Sequence, residues 1–254
     1  MPSAAVRSSL VWRLASLVLV FGAWEVAGRI PVSFAFPPFT ATVEALARVV
    51  ADGSLPHAYV VTLQPLVVGL VLSAGLGVLT GVAMGLSRAG EWLLVPPFVV
   101  MQAAPMAALI PLITFVYGIG LTSKVLAVVA LAAPVIVLNA YKAVRTVNPS
   151  LLDMCRSFQG TRAQEVTKIV LPAASPVIFA GLRLGVGAGF VGIVLAELLI
   201  TPTGIGDLIT YSGSIADYPT MYATIASIIA VAAVTVSLLE RAEGRFFRPE
   251  TAAR

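Results

Sequence analysis

The chain has 254 residues, of which 59% are hydrophobic and 11% charged, and its formal net charge is +4. A soluble domain carries roughly 45–50% apolar and about 25% charged residues. This composition therefore excludes a water-soluble enzyme or binding module and indicates an integral membrane protein. The single cysteine, Cys155, rules out an intrachain disulfide, and the lone histidine, His57, read as a loop residue beside Pro56, leaves no zinc or haem site.

At the N-terminus, Arg7 and Arg13 precede an apolar run from Leu14 to Ala27. A cleavable signal peptide would have this outline, but Trp24 and Glu25 stand where small residues should precede a cleavage site. The run is read as an uncleaved first membrane helix. Further along, no Lys, Arg, Asp or Glu occurs between Asp52 and Arg88, Glu91 and Lys124, Lys124 and Lys142, or Asp217 and Glu240. A helix needs about 20 mostly apolar residues to cross the ~30 Å hydrocarbon core. The runs are continuous rather than alternating, which favours helices over barrel strands. Six membrane helices are expected, at 11–29, 60–86, 93–117, 124–141, 174–199 and 219–240, the fourth near the minimum length because Lys124 and Lys142 bound it closely. The fold class is thus all-α, a polytopic membrane protein forming one transmembrane domain over 1–254.

Between the first two helices, Pro37 and Pro38 open a segment with Val43, Leu46, Val49 and Val50 at the spacing of an amphipathic surface helix. The last connection on that side, TPTGIGDLITYSGSIADYPT, reads as a polar loop rich in Gly, Thr and Ser. The third expected span holds Pro96, Pro97, Pro105 and Pro111, and the fifth holds Gly181, Gly185, Gly187, Gly189 and Gly192. Prolines bend helices and small residues let backbones approach. The glycines fit either close packing or a helix that lines a path or moves.

With six helices both termini share one side. That side carries Arg7, Arg13, Arg88, Lys142, Arg145, Arg156, Arg162, Lys168, Arg241, Arg245, Arg248 and Arg254; the other carries Arg29, Arg48 and Lys124. Positive residues concentrate on the cytoplasmic side, so the termini and the 148–172 connection between helices 4 and 5 are expected there.

That connection, NPSLLDMCRSFQGTRAQEVTKIVLP, is the polar interruption in the chain. Asn148 and Pro149 suit a helix start. Leu151, Leu152, Cys155 and Phe158 share a face, and Gly160 is placed as the terminating glycine. Thr161 with Gln164 has capping-box spacing; Val166, Ile169 and Val170 give a second apolar face, and Pro172 is expected to stop that helix before the next span. Basic residues Arg156, Arg162 and Lys168 lie beside Asp153 and Glu165. Such a hairpin suits either anionic headgroups or a cytosolic partner.

The segment resembles the cytoplasmic loop of bacterial ABC importer permeases, whose pattern is Glu-Ala-Ala, three residues, Gly, nine residues, Ile, one residue, Leu-Pro. Asp153 stands at the Glu position, and Ile169, Leu171 and Pro172 match in register. Met154 and Cys155 replace the alanines, and Gln159 holds the glycine position with Gly160 one place later. Trp24-Glu25, Phe36-Pro37-Pro38, Tyr117-Gly118-Ile119-Gly120, Gly181-Leu182-Arg183, Ala196-Glu197 and Gly204-Ile205-Gly206 extend the likeness over about residues 10 to 245, towards the nitrate, sulfonate and taurine subgroup.

The resemblance implies a permease of the bacterial inner membrane that carries a small solute, such as a nitrate-, sulfonate- or taurine-like anion or a small heterocyclic precursor. It implies a cytosolic ABC ATPase, a periplasmic or tethered solute-binding protein and a second permease subunit, a homodimer being expected, with the lipid bilayer as surroundings. No cofactor and no nucleic acid enter. Asp153, Phe158, Gly160, Ile169, Leu171 and Pro172 would couple to the ATPase, with Leu152, Phe158 and Val166 filling its groove. The chain has no Gly-x-x-x-x-Gly-Lys-Ser/Thr phosphate loop, so ATP hydrolysis is expected on the separate subunit.

Gln102, Asn139, Arg183 and Glu197 are candidates for the translocation path, with Thr114 and Ser175 beside them. Glu25 and Glu197 are expected near outer ends, reaching the interface by snorkelling, and Arg183 is expected to pair with an acid in the hairpin. The alternative is an ion-gradient-driven secondary carrier, against which stand the absence of a clear internal repeat and of a midplane carboxylate. A membrane-embedded hydrolase would need a nucleophile and base, and His57 is the one histidine available.

Overall fold

A computed structural model of the protein describes residues 3–30, 33–200 and 203–247. Among these residues all regular structure is helical. In chain order the helices are α1 (Ser3–Arg29), α2 (Phe39–Ala51), α3 (Ser54–Leu86), α4 (Arg88–Ala103), α5 (Met106–Tyr117), α6 (Leu121–Arg145), α7 (Pro149–Ser157), α8 (Arg162–Gln164), α9 (Leu171–Leu199), α10 (Ile205–Ser214) and α11 (Tyr218–Phe247), with a wide π-turn over Glu165–Val170 leading into α9. Four helical runs are long and apolar enough to cross a bilayer, and a fifth crossing is present if the bent pair α4–α5 counts as one.

Three expected spans differ instructively. The span at 93–117 is not one helix: α4 and α5 meet at a 101° bend. The break falls at Ala104, whose backbone is extended (φ −66°, ψ 141°) because the ring of Pro105 disfavours helical geometry in the residue before it. Pro96, Pro97 and Pro111 stay inside their helices. The span at 124–141 is 25 residues long, not minimal; Lys124 lies inside its first turn and is buried, so it does not mark an end. Nor does Pro172 stop a helix. The run is continuous from Arg162 to Leu199, because the π-turn widens the helix just before the proline: the Leu171 N–H donates five residues back, to Val166 O. His57 lies in the first turn of α3 rather than in a loop, and the expected loop before the last span contains α10.

The centre of the bundle is the packing of α6 between α3 and α9. Both neighbours present glycine to α6. On α3, Gly77, Gly81 and Gly85 repeat every fourth residue, and a Cβ on Gly81 would sit 2.5 Å from Val137 O. On α9, Gly181, Gly185 and Gly192 face Asn139, Ile136 and Ala127, while Gly189 meets Leu70. Lipid supplies little hydrophobic drive for helix association, so close van der Waals contact across small residues holds such helices together. Of the five glycines that suggested a path, four are packing glycines; Gly187 alone has no atom near its missing side chain.

The amphipathic helix α2 is present but its inner face differs from expectation. Thr42, Ala45 and Val49 are buried, Leu46 is half-buried, and Val43 and Val50 are exposed. It packs on α11 and α3. The Trp24-Glu25 and Phe36-Pro37-Pro38 motifs meet here. Trp24 Nε1 donates to Pro37 O at 3.1 Å, and Glu25 accepts the Thr40 N–H at 2.9 Å, so it caps the start of α2 from α1. Phe36 and Tyr222 close the cluster edge to face at 5.7 Å between ring centres.

Candidate functional site: the hairpin and the buried ion pair

The hairpin is built from local capping. Asn148 Oδ1 accepts the Ser150 N–H at 3.0 Å with Pro149 in the first turn. Thr161 and Gln164 form a reciprocal capping box: the Gln164 N–H donates to Thr161 Oγ1 at 3.3 Å and the Thr161 N–H to Gln164 Oε1 at 2.9 Å. The turn itself corrects the sequence reading. Gly160 is not the left-handed residue; Gln159 is, at φ 57°. The Gly160 N–H donates to Cys155 O and the Gln159 N–H to Arg156 O, both at 2.9 Å, which is a Schellman ending with Gln159 at its left-handed position. Gly160 is needed for a different reason, since a Cβ there would lie 2.8 Å from Cys155 O.

An ion pair that spacing alone did not reveal closes the hairpin. Arg156 donates to Glu165 through Nη2 at 3.0 Å and Nε at 3.3 Å, and reaches Asp153 at 3.5 Å. The Glu165 carboxylate beside it raises the Arg156 guanidinium above its ordinary value. The two faces of α7 then separate. Leu152, with Ile169, packs inward on Val144, Val147, Val170 and Ala174. Leu151, Met154 and Phe158 point outward, Phe158 at 82% exposure. Of the expected groove-filling set, Leu152 and Val166 are half-buried and Phe158 is exposed, in an apolar stripe with Leu151 and Met154. Asp153 is exposed on the same helix, Leu171 is partly exposed, and Pro172 is the second residue of α9.

At the opposite end of the bundle lies a buried polar cluster. Glu197 is not a snorkelling residue. Its side chain is fully buried and pairs with Lys124 Nζ at 2.7 Å. Thr62 Oγ1 lies 2.9 Å from Glu197 Oε2, and the Gly206 N–H donates to the same oxygen at 3.0 Å. Lys124 also donates to Thr203 Oγ1 at 2.9 Å, and the Ile205 N–H donates to Thr62 Oγ1 at 2.9 Å. Carboxylate and ammonium are thus each met by several groups, the condition under which a buried pair is tolerated. The cluster joins α3, α6, α9 and the start of α10. Gly204, at φ 81° with Thr62 Oγ1 2.6 Å from a would-be Cβ, provides the close approach. Lys124 counted as a loop cation in the sequence; the charge bias rests on the remaining residues.

The other path candidates make contacts of their own. Gln102 is exposed on the last turn of α4. Asn139 donates to Val135 O one turn back at 2.7 Å and packs on Gly181. Thr114 and Ser175 likewise bond to their own helix backbone. Arg183 does not reach the hairpin; it pairs with Glu240 at 3.2 Å and Glu243 at 3.6 Å on α11. Near the hairpin, Glu91 of α4 takes a hydrogen bond from Tyr141 at 2.5 Å and pairs with Arg145, fastening α4 to the end of α6.

Residues 73–247 match the family model described as the binding-protein-dependent transport system inner membrane component. The chain belongs to that family. It is 32% identical over 243 residues to a taurine transport system permease protein of Escherichia coli K12, covering 93% of this chain and 87% of that one. It is 28% identical to a Bacillus subtilis protein described as an aliphatic sulfonates transport permease, covering 88% and 83%. The methionine ABC transporter in inward-facing form shares the fold at a TM-score of 0.56 and 19% identity, over 77% of this chain and 93% of that one. The permease is a membrane-embedded transport subunit of an ABC importer, which decides against the gradient-driven carrier.

Proposed function

We propose that the 148–172 hairpin is the coupling element of this permease, docking on a separate cytosolic ATPase through Leu151, Met154 and Phe158. The observation that carries this is the exposed apolar stripe on an otherwise polar hairpin, next to exposed Asp153. Leaving such side chains in water is unfavourable by roughly 25 cal/mol per Å2, and burial against a partner removes that penalty. Gly160 shapes the turn, while Ile169, Leu171 and Pro172 join the hairpin to α9, so that movement of the docked hairpin is passed to the bundle.

The hairpin and both termini face the cytoplasm. Twelve Lys and Arg residues lie on that side against Arg29 and Arg48 opposite, once buried Lys124 is set aside. Of those cations Arg248 and Arg254 lie outside the described residues, as do the side chains of Arg7, Arg13 and Arg245. Helix α1, 27 residues long, supplies the sixth crossing. A second permease subunit completes the pathway, lined at the pair's interface by residues such as Gln102, and a binding protein delivers the solute to the far face. The relatives' names favour a small sulfonate-like anion as that solute. The permease supplies no phosphate loop of its own, so ATP is hydrolysed on the partner.

The test is co-purification. The tagged permease, co-expressed with its genomic neighbours, is expected to retain an ABC ATPase through detergent extraction. Phe158→Asp is expected to lose it while the permease keeps its level and gel-filtration profile. Equal retention by the variant would refute the docking face.

A further inference from the structure

Behind α7, on the side away from the exposed stripe, the hairpin and the ends of α3 and α6 enclose a cavity of about 550 Å3. Four arginines line it: Arg88 from the start of α4, Arg145 from the end of α6, Arg156 from α7 and Arg162 from α8. One acidic residue, Glu165, stands among the lining residues. Two of the arginines are neutralised, Arg145 by Glu91 and Arg156 by Glu165. The guanidinium groups of Arg88 and Arg162 make no hydrogen bond or ion pair among the described residues. The rest of the wall is largely aliphatic, with Leu86, Val144, Val147 and Leu152.

Like charges converging on one concavity repel, and the repulsion is relieved most directly by an anion between them. Guanidinium forks match the paired oxygens of phosphate or sulfonate groups. The aliphatic wall adds a preference for an apolar body attached to that head. The volume lies within the roughly 300–1,000 Å3 of small-molecule sites.

We infer that this cavity binds an amphipathic oxyanion, a phosphate- or sulfonate-type head on an apolar body, with Arg88 and Arg162 as its principal ligands. The head belongs either to an anionic phospholipid of the adjoining leaflet or to a soluble organic anion. Because the cavity walls come from the hairpin and from the bundle, the occupant braces one against the other. This site is distinct from the proposed ATPase-docking stripe, which lies on the opposite face of α7.

Two arms separate the sources. The full chain, purified in detergent, is titrated with phosphatidylglycerol and with phosphatidylcholine, and bound lipid is counted by native mass spectrometry. The same chain in phosphatidylcholine nanodiscs is titrated calorimetrically with butyl phosphate. Saturable binding of phosphatidylglycerol over phosphatidylcholine identifies a lipid head; saturable binding of butyl phosphate identifies a soluble anion. In either arm Arg88→Gln/Arg162→Gln is expected to weaken binding about tenfold or more, the value of a lost charge-assisted contact. Lys142→Gln/Lys168→Gln removes the same charge outside the cavity and is expected to leave affinity unchanged. The single variants carry the test if the double variant does not purify. Absence of binding in both arms, unchanged affinity in the arginine variants, or an equal loss in the lysine control would overturn the inference.

Discussion

Gln159 holds the left-handed position of the hairpin turn at φ 57°, a conformation that costs an L-residue with a Cβ roughly 1–2 kcal/mol. The next residue, Gly160, keeps an ordinary φ but has no space for a side chain. The two positions are therefore not interchangeable. Gln159→Gly is expected to stabilise the hairpin by about 1 kcal/mol less the entropy of a freer unfolded chain, seen as slower amide exchange over 149–164. Gly160→Ala is expected to accelerate that exchange, because the new methyl must displace the Cys155 backbone. The sequence held the glycine and the family register held the offset; neither revealed which residue turns the chain. That depends on two hydrogen bonds, from the Gly160 N–H to Cys155 O and from the Gln159 N–H to Arg156 O.

At the scale of elements, the glycine faces of α3 and α9 set how closely α6 can sit between them. A valine at position 81 would press on Val137 O and Ala140, and overpacking of this kind typically costs ~1–3 kcal/mol. Gly81→Val is expected to lower the thermal unfolding temperature of the detergent-purified protein. Gly187→Val, on the open face of α9, is expected to change it little. Hydrophobic runs made the crossing helices legible, since lipid imposes composition along the whole length of a span. The bend at Ala104 was half legible: four prolines mark the region, and the one whose preceding residue leaves the helix becomes the break.

For the whole molecule, the buried Lys124–Glu197 pair joins residues 73 positions apart, and Thr62 joins Glu197 across 135. Removing one partner leaves an uncompensated buried charge, at a cost of about 3–5 kcal/mol. Lys124→Met and Glu197→Met alone are each expected to destabilise strongly in thermal unfolding. The double variant is expected to recover much of the loss, and additive losses would show that the two charges do not act as a pair. Because the cluster also holds the start of α10, the single variants are further expected to increase proteolysis between α9 and α10.

The sequence by itself determined that this is an all-helical membrane protein, where its polar hairpin lies and how the two hairpin helices are capped at their N-termini, because composition, periodicity and N-terminal capping act over a few neighbouring residues. The family pattern was readable for the same reason, as short motifs in order. Only the tertiary structure decided that Lys124 and Glu197 are partners rather than interfacial charges, that Arg183 turns to α11, and which face of α7 remains exposed. Those outcomes depend on helices brought together from distant parts of the chain, and a charge in a sequence carries no mark of the partner that burial will give it.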